Sequence, residues 1–76
     1  MARPRTITQY MVAHCVVWKF DPNFPRSYEQ VAEELSAKFP ALDQKPNRST
    51  IMRRIKTFCQ GFADNQAAYQ SALEML

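Results

Sequence analysis

Two segments decide the fold: SYEQVAEELSAKF at residues 27–39 and NRSTIMRRIKTFCQ at residues 47–60. In the first, Ser27 is followed three residues later by Gln30, the capping-box arrangement in which each side chain accepts a hydrogen bond from the other residue's backbone amide. Its apolar residues recur at helical spacing, namely Tyr28, Val31, Ala32, Leu35 and Phe39. Because Pro40 cannot continue a helix, the sequence predicts a helix that begins after Ser27 and ends before this proline.

The second segment predicts an amphipathic helix with a cationic outer face. Asn47 or Ser49 serves as its N-cap, and Gly61 is well placed as the left-handed residue after its end near Gln60. Its apolar stripe falls within about 30° of one direction at about 100° per residue. That stripe consists of Ile51, Ile55, Phe58 and Phe62. The opposite face consists of Ser49, Arg53, Lys56, Thr57 and Gln60, flanked by Thr50 and Arg54.

Further helices are expected on both sides of this pair. The segment from Thr8 to Lys19, with Thr6 or Thr8 as N-cap, is apolar almost all round, so it is either sandwiched between helices or covered by a partner subunit. Its adjacent Val16 and Val17 leave a strand as the alternative. The segment 63–75 carries a stripe that completes the core or forms a dimer seam: Tyr69, Ala72, Leu73 and Leu76. The sequence therefore predicts an all-α fold, a small bundle of three to four helices.

Composition bounds the class of protein. The chain has 76 residues, 46% of them hydrophobic and 22% charged, which is typical of one soluble globular domain. A single glycine excludes glycine-rich phosphate loops and dinucleotide-binding fingerprints. No apolar run approaches the about 20 residues of a membrane span, and no signal peptide is visible. We therefore expect an intracellular protein, nuclear in a eukaryote, or in the cytoplasm or nucleoid in a prokaryotic or viral setting.

Metal, disulfide and catalytic chemistry have little support in the sequence. Cys15 and Cys59 are too few for a disulfide scaffold and lie in apolar segments, so we expect both to be reduced core residues. His14 is the only histidine and lies on an apolar face, which indicates a satisfied core or boundary residue. Zinc ligation and general base catalysis both lack the partners they need. We expect no metal, no cofactor and no enzymatic activity.

Basic charge is concentrated in two places that the net charge of +3 conceals. Residues 27–44 are acidic overall, whereas residues 45–60 contain five cations and no acid. A short N-terminal arm adds two arginines. This asymmetry is typical of a protein with a polyanion-binding face. The cations concerned are Arg3, Arg5, Lys45, Arg48, Arg53, Arg54 and Lys56.

Together the two segments resemble the helix-turn-helix family of DNA-binding domains over residues 27–60. YEQVAEEL is similar to the positioning helix, and NRSTIMRRIK to the recognition helix, of repressors, resolvases and transposases. The connection is longer than the family's usual turn of about three to four residues and lacks its glycine, a length that homeodomain-like and winged variants tolerate. No strand hairpin follows, which disfavours a winged form. The resemblance implies a sequence-specific regulator of transcription that binds double-stranded DNA.

The geometry of a helix in the major groove assigns roles to these residues. We expect Ser49, Thr50 and Arg53 to contact base edges. We expect Lys45, Arg48, Arg54 and Lys56 to contact phosphates. Arg3-Pro4-Arg5 is similar to the arm that homeodomains lay in the adjacent minor groove, although the rest of the homeodomain signature is missing. The alternative is that Arg3 and Arg5 are two charges on a disordered terminus. The predicted organisation is an arm at 1–6 and one helical DNA-binding domain at 7–76.

The main alternative is a non-enzymatic protein-interaction module, a helical adaptor or inhibitor. In that interpretation the apolar faces of helices 8–19 and 63–75 contact a partner, and the basic helix docks on an acidic surface. The simplest alternative is that residues 45–60 form only a solvated basic face. DNA binding and protein interaction are compatible if the chain forms a homodimer through helix 63–75 or helix 8–19 and presents helix 47–60 to DNA.

Overall fold

The computed structural model describes residues 7–40, 42 and 44–76, which form four helices and no strand. In chain order the helices are α1 (Gln9–Lys19), α2 (Tyr28–Lys38), α3 (Arg48–Cys59) and α4 (Asn65–Met75). The prediction of a small all-α bundle is confirmed, and the strand alternative at Val16 and Val17 is wrong because both lie within α1. The predicted arm at 1–6, with Arg3, Arg5 and the N-cap alternative Thr6, lies outside the described residues.

Each helix begins at a side-chain cap. Gln30 donates its backbone N–H to Ser27 Oγ at 3.2 Å, and Ser27 donates its own to Gln30 Oε1 at 2.9 Å, so the predicted capping box is complete. At α3 the cap is Asn47, whose Oδ1 accepts from the Thr50 amide at 2.8 Å. Caps of this kind contribute about 1 kcal/mol each. Because Asn47 caps α3, Ser49 lies inside its first turn with its side chain exposed.

The connection from α3 to α4 differs from the prediction. No described residue has a positive φ, so Gly61 is not a left-handed cap. Gln60 keeps a right-handed helical conformation, and the Gly61 amide donates to the Phe58 carbonyl at 3.4 Å. Tight turns of this type satisfy the last carbonyls of the helix without a left-handed residue. Asp64 then caps α4, which therefore begins two residues after the predicted start at Ala63.

α1 contacts all three other helices, as does α3, whereas α2 and α4 do not contact each other. α1 is buried without interruption from Met11 to Val16, so packing within the bundle explains its apolar character on every side. Leu35 of α2, Ile51 of α3 and Val16 are the largest wholly buried side chains. None of the helices formed by the described residues has the length and apolarity needed to cross a membrane.

α4 packs through small side chains. Ala68 and Ala72 are fully buried, whereas Leu73 is 40% and Leu76 48% exposed. Of the two alternatives for this stripe, the core is wrong for Leu73 and Leu76, whereas Ala72 belongs to the core and Tyr69 is half-buried; the dimer seam stays a prediction. The separation of packed helices depends on the side chains between them, and alanine permits a close approach that turns the larger residues outward.

Candidate nucleic-acid interface

The outward face of α3 is polar and cationic. Ile51, Ile55 and Phe58 are buried against the rest of the bundle, which leaves the residues on the opposite side of the helix in solvent. Those exposed residues are Ser49, Arg53, Lys56, Thr57 and Gln60. Side chains three and four positions apart are neighbours on a helix surface, so Ser49, Arg53 and Lys56 form one line along it. The structure thus brings together three of the predicted site residues.

Thr50 and Arg54 lie on the flank of α3, away from that line. Thr50 is half-buried, and its backbone N–H is bonded to the Asn47 cap. Arg54 is exposed and lines a groove between α1, α3 and α4. At about 100° per residue, both are a quarter of a turn or more from Ser49. They border the exposed line, as the sequence predicts, and their side of the helix faces α1 and α4.

Lys45 and Arg48 lie on the opposite side, next to acidic residues of α2. Arg48 Nη1 is 3.7 Å from Glu29 Oε1, and Lys45 Nζ is 4.0 Å from Glu33 Oε2. All four side chains are more than half exposed, so these pairs contribute little to stability. They nevertheless reduce the positive charge on this side of α3. The segment 45–60 contains no acidic residue of its own, but its packing against α2 places Glu29 and Glu33 beside its cations.

The sequence carried a signal for this pairing. Glu29 and Glu33 are four residues apart on α2 and therefore project from the same side of that helix. The other three cations of α3 have no such acidic neighbour: no carboxylate of the described chain lies within 4.0 Å of the nitrogens of Arg53, Arg54 or Lys56. The strongest local positive charge on α3 is thus its outward line together with Arg54.

A separate aromatic cluster surrounds His14 at the contact between α1 and α2. Its ring centroid is 4.8 Å from that of Tyr10, 5.5 Å from Trp18 and 5.4 Å from Phe39. His14 is only 9% exposed, and its Nε2 is buried without a hydrogen-bond partner. It is thus a core histidine as predicted, but one whose Nε2 is not satisfied, because aromatic rings offer no strong acceptor. Burial, and then the charge of Lys38, lower the pKa of His14.

The thiols and acidic groups do not form a reactive centre in the described ranges. Burial raises the pKa of Cys15 to about 12 and also raises that of Cys59. Both cysteines are free, Cys15 in the core and Cys59 half-buried, and neither is a thiolate near neutral pH. No group of three or more histidine, cysteine or acidic residues in residues 7–40, 42 and 44–76 could hold a metal ion.

The remaining feature of the α3 surface is its exposed apolar residue, Met52, which is 46% exposed beside the cationic line. An apolar side chain at such a position can contact a thymine methyl group in a DNA groove.

Comparisons with family models, with curated proteins and with solved structures found no match to this chain. What the protein does must therefore be inferred from its own residues.

Proposed function

We propose that this protein is a non-enzymatic, sequence-specific DNA-binding protein of the transcriptional-regulator type, which inserts α3 into the major groove of double-stranded DNA. The observation that carries the proposal is the outward line of Ser49, Arg53 and Lys56, opposite a cleanly buried apolar face. An α-helix with its side chains is about 10–12 Å across and fits a major groove about 12 Å wide.

Each residue of the line has a role that suits its chemistry. The planar guanidinium of Arg53 can donate two hydrogen bonds to the O6 and N7 atoms of guanine. Ser49, in the first turn, is small enough to let the helix approach base edges closely, and Thr50 borders the same turn. Lys56, one turn beyond Arg53, can reach a phosphate. Arg53 is therefore the residue on which sequence preference depends most.

Contacts to the phosphates on either side would come from the flanks of α3. Arg54 lies on the side of α1 and α4, and Lys45 and Arg48 lie on the side of α2. The two cations on the α2 side contribute less in this proposal, because Glu29 and Glu33 compete with phosphates for them. Arg3 and Arg5 would extend the contact into the adjacent minor groove, where arginine is favoured at A·T-rich sequence.

The proposal is tested by changing Arg53→Ala and measuring the affinity for duplex DNA by fluorescence anisotropy. Lys38→Ala is the matched control, because it removes the same charge from an exposed position on α2. We expect Arg53→Ala to weaken binding by about tenfold, the value of a lost charge-assisted contact, and Lys38→Ala to change it much less. Equal effects of the two variants, with helicity intact in both, would show that α3 does not contact the DNA.

One observation favours a homodimer as part of this function. Ser49 and Lys56 are about 10 Å apart along the helix axis, which matches only about three base pairs of 3.4 Å each. Two copies would read a longer site. α1 is buried in the bundle, whereas Leu73, Met75 and Leu76 at the end of α4 are exposed. We propose α4 as the seam, and sedimentation velocity of Leu73→Gln against the unchanged chain tests it.

The interaction-module alternative rests on the same α4 residues. In that case the chain would bind a different protein through Leu73, Met75 and Leu76, and α3 would only carry charge. The two functions differ in one outcome: a pure interaction module has no salt-dependent affinity for DNA.

A further inference from the structure

A groove of about 370 Å³ lies between α1, α3 and α4. Its apolar lining includes Val12, Phe58, Phe62 and Met75. The rings of Phe58 and Phe62 are tilted by 31° with their centroids 5.4 Å apart, and Phe58 is buried whereas Phe62 is half-buried. A groove of this volume is within the range that small organic ligands occupy, about 300–1,000 Å³.

The polar residues of the groove restrict what it can hold. Among the described residues that line it, Arg54 carries the only charge, and none is a carboxylate. Thr57 and Ser71 add hydroxyl groups that can donate hydrogen bonds to an oxygen. Gly61 also lines the groove. The described lining residues therefore offer one cation, two hydroxyls and the side-chain amide of Gln9 beside apolar side chains.

A second groove shows that this combination is specific to the first. It has a similar volume, about 360 Å³, and lies between the end of α1 and the first half of α4. Its lining includes Phe20 and Tyr69 together with the side-chain amides of Asn65, Gln66 and Gln70, and none of the described residues that line it is charged. In the part of the chain that the structure describes, an anion has a cationic partner in the first groove but not in the second.

We propose that the groove between α1, α3 and α4 is a binding site for a small amphipathic carboxylate, a monoanion with a compact aromatic or aliphatic body. The guanidinium of Arg54 pairs with the carboxylate, which planar guanidinium groups bind through two parallel hydrogen bonds. The body of the ligand lies against Phe58 and Phe62. The hydroxyls of Thr57 and Ser71 complete the polar end.

The test is an NMR titration with 4-phenylbutyrate, with its neutral counterpart 4-phenylbutan-1-ol as the matched ligand. The chain has one glycine, so the Gly61 amide gives a distinct signal in the groove, and the Met75 methyl reports on the lining. We expect saturable shifts at both, with the acid about tenfold tighter than the alcohol because of the charged pair. The Gln66 and Tyr69 amides in the second groove should show no preference for the acid.

Arg54→Gln and Arg53→Gln separate the pairing from general charge. Both residues are exposed on α3, but only Arg54 lines the groove. Arg54→Gln should abolish the preference for the acid, and Arg53→Gln should preserve it. Equal affinity for acid and alcohol in the unchanged chain, equal loss in the two variants, or no saturable shift at Gly61 would each overturn the proposal. The titration contains no DNA, so its outcome does not depend on whether α3 binds DNA.

Discussion

At the scale of single residues, His14 links the packing of the core to pH. Its Nε2 is buried among aromatic rings without a hydrogen-bond partner, and burial followed by Lys38 lowers its pKa from the ordinary value of 6.5. The unfolded chain therefore binds a proton more readily than the folded chain between the lowered pKa and 6.5. Protonation of this residue favours unfolding.

We expect the free energy of unfolding to be greatest above pH 6.5 and to fall as the pH decreases through that value toward the lowered pKa of the folded state. His14→Phe keeps a ring in the cluster but cannot titrate. Urea unfolding of both proteins at about pH 7.5 and pH 5.5 measures the effect, since histidine is the side chain that titrates in this range. The same loss of stability in His14→Phe would assign the pH dependence to another group.

Arg26 shows how one residue can organise a connection. Its guanidinium pairs with Glu34 of α2 and lies 3.9 Å from Asp21, and it stacks over the Phe24 ring at 4.8 Å. Its backbone N–H donates to the Trp18 carbonyl at 3.3 Å. The sequence showed a proline-broken loop here, but the partners of Arg26 depend on where α2 starts and how it packs, which local patterns do not contain.

At the scale of elements, the bounds of the helices were more predictable than the backbone conformation that follows α3 and the face that α4 buries. The Ser27 and Gln30 capping box is a local interaction, and the structure contains it as predicted. α3 ends near Gln60 as predicted, but the left-handed conformation predicted for Gly61 is wrong, because a tight turn satisfies the same carbonyls as a left-handed glycine. The buried face of α4 was also missed, since hydrophobicity alone favours Leu73 over Ala68 whereas close helix packing favours the alanine.

The burial of Leu35 in α2 and the exposure of Leu73 in α4 predict different losses of stability when each leucine is replaced by alanine. Leu35 is 0% exposed and belongs to the core, whereas Leu73 on α4 is 40% exposed. We expect Leu35→Ala to lower the free energy of unfolding by about 2–5 kcal/mol, because it removes buried methyl groups and leaves a cavity. Leu73→Ala, the matched control, should cost much less. Urea unfolding measures both, and a loss below about 0.5 kcal/mol for Leu35→Ala would contradict the packing of α2.

The ion pairs of Glu29 with Arg48 and of Glu33 with Lys45 predict that removing either acid raises the affinity for DNA. Glu29→Gln and Glu33→Gln each remove a negative charge beside Arg48 and Lys45. We expect both to strengthen DNA binding at low salt, because the released cations can contact phosphates. Thermal unfolding should change little, since exposed pairs contribute about 0–1 kcal/mol.

The matched control for this prediction is Glu74→Gln, an exposed acid on α4. It changes the net charge by the same amount at a distance from the α2 pairs. Anisotropy titrations of the three variants should rank the two α2 variants above Glu74→Gln. If all three strengthen binding equally, net charge alone explains the effect and the local pairing does not restrain Lys45 and Arg48.

At the scale of the whole molecule, the bundle measures 38 × 23 × 21 Å. It exposes on α3 one line formed by the hydroxyl of Ser49 and the cations Arg53 and Lys56. The sequence predicted this line because the helical period fixes which residues of one helix share a face. It did not predict that the α3 cations divide among an outward line, the groove of Arg54 and the acids of α2. That division depends on the neighbouring helices, and therefore on tertiary packing.

The most direct test of DNA binding is a fluorescence-anisotropy titration of a random-sequence duplex at about 50 and 200 mM salt. If Arg54 and Lys56 each neutralise one phosphate, the affinity should fall about 12-fold between these conditions, since each phosphate contact contributes a slope of about −0.9. A fall of this size would establish a phosphate-contacting face. No binding at the lower salt, or an affinity that does not change with salt, would contradict the proposed function.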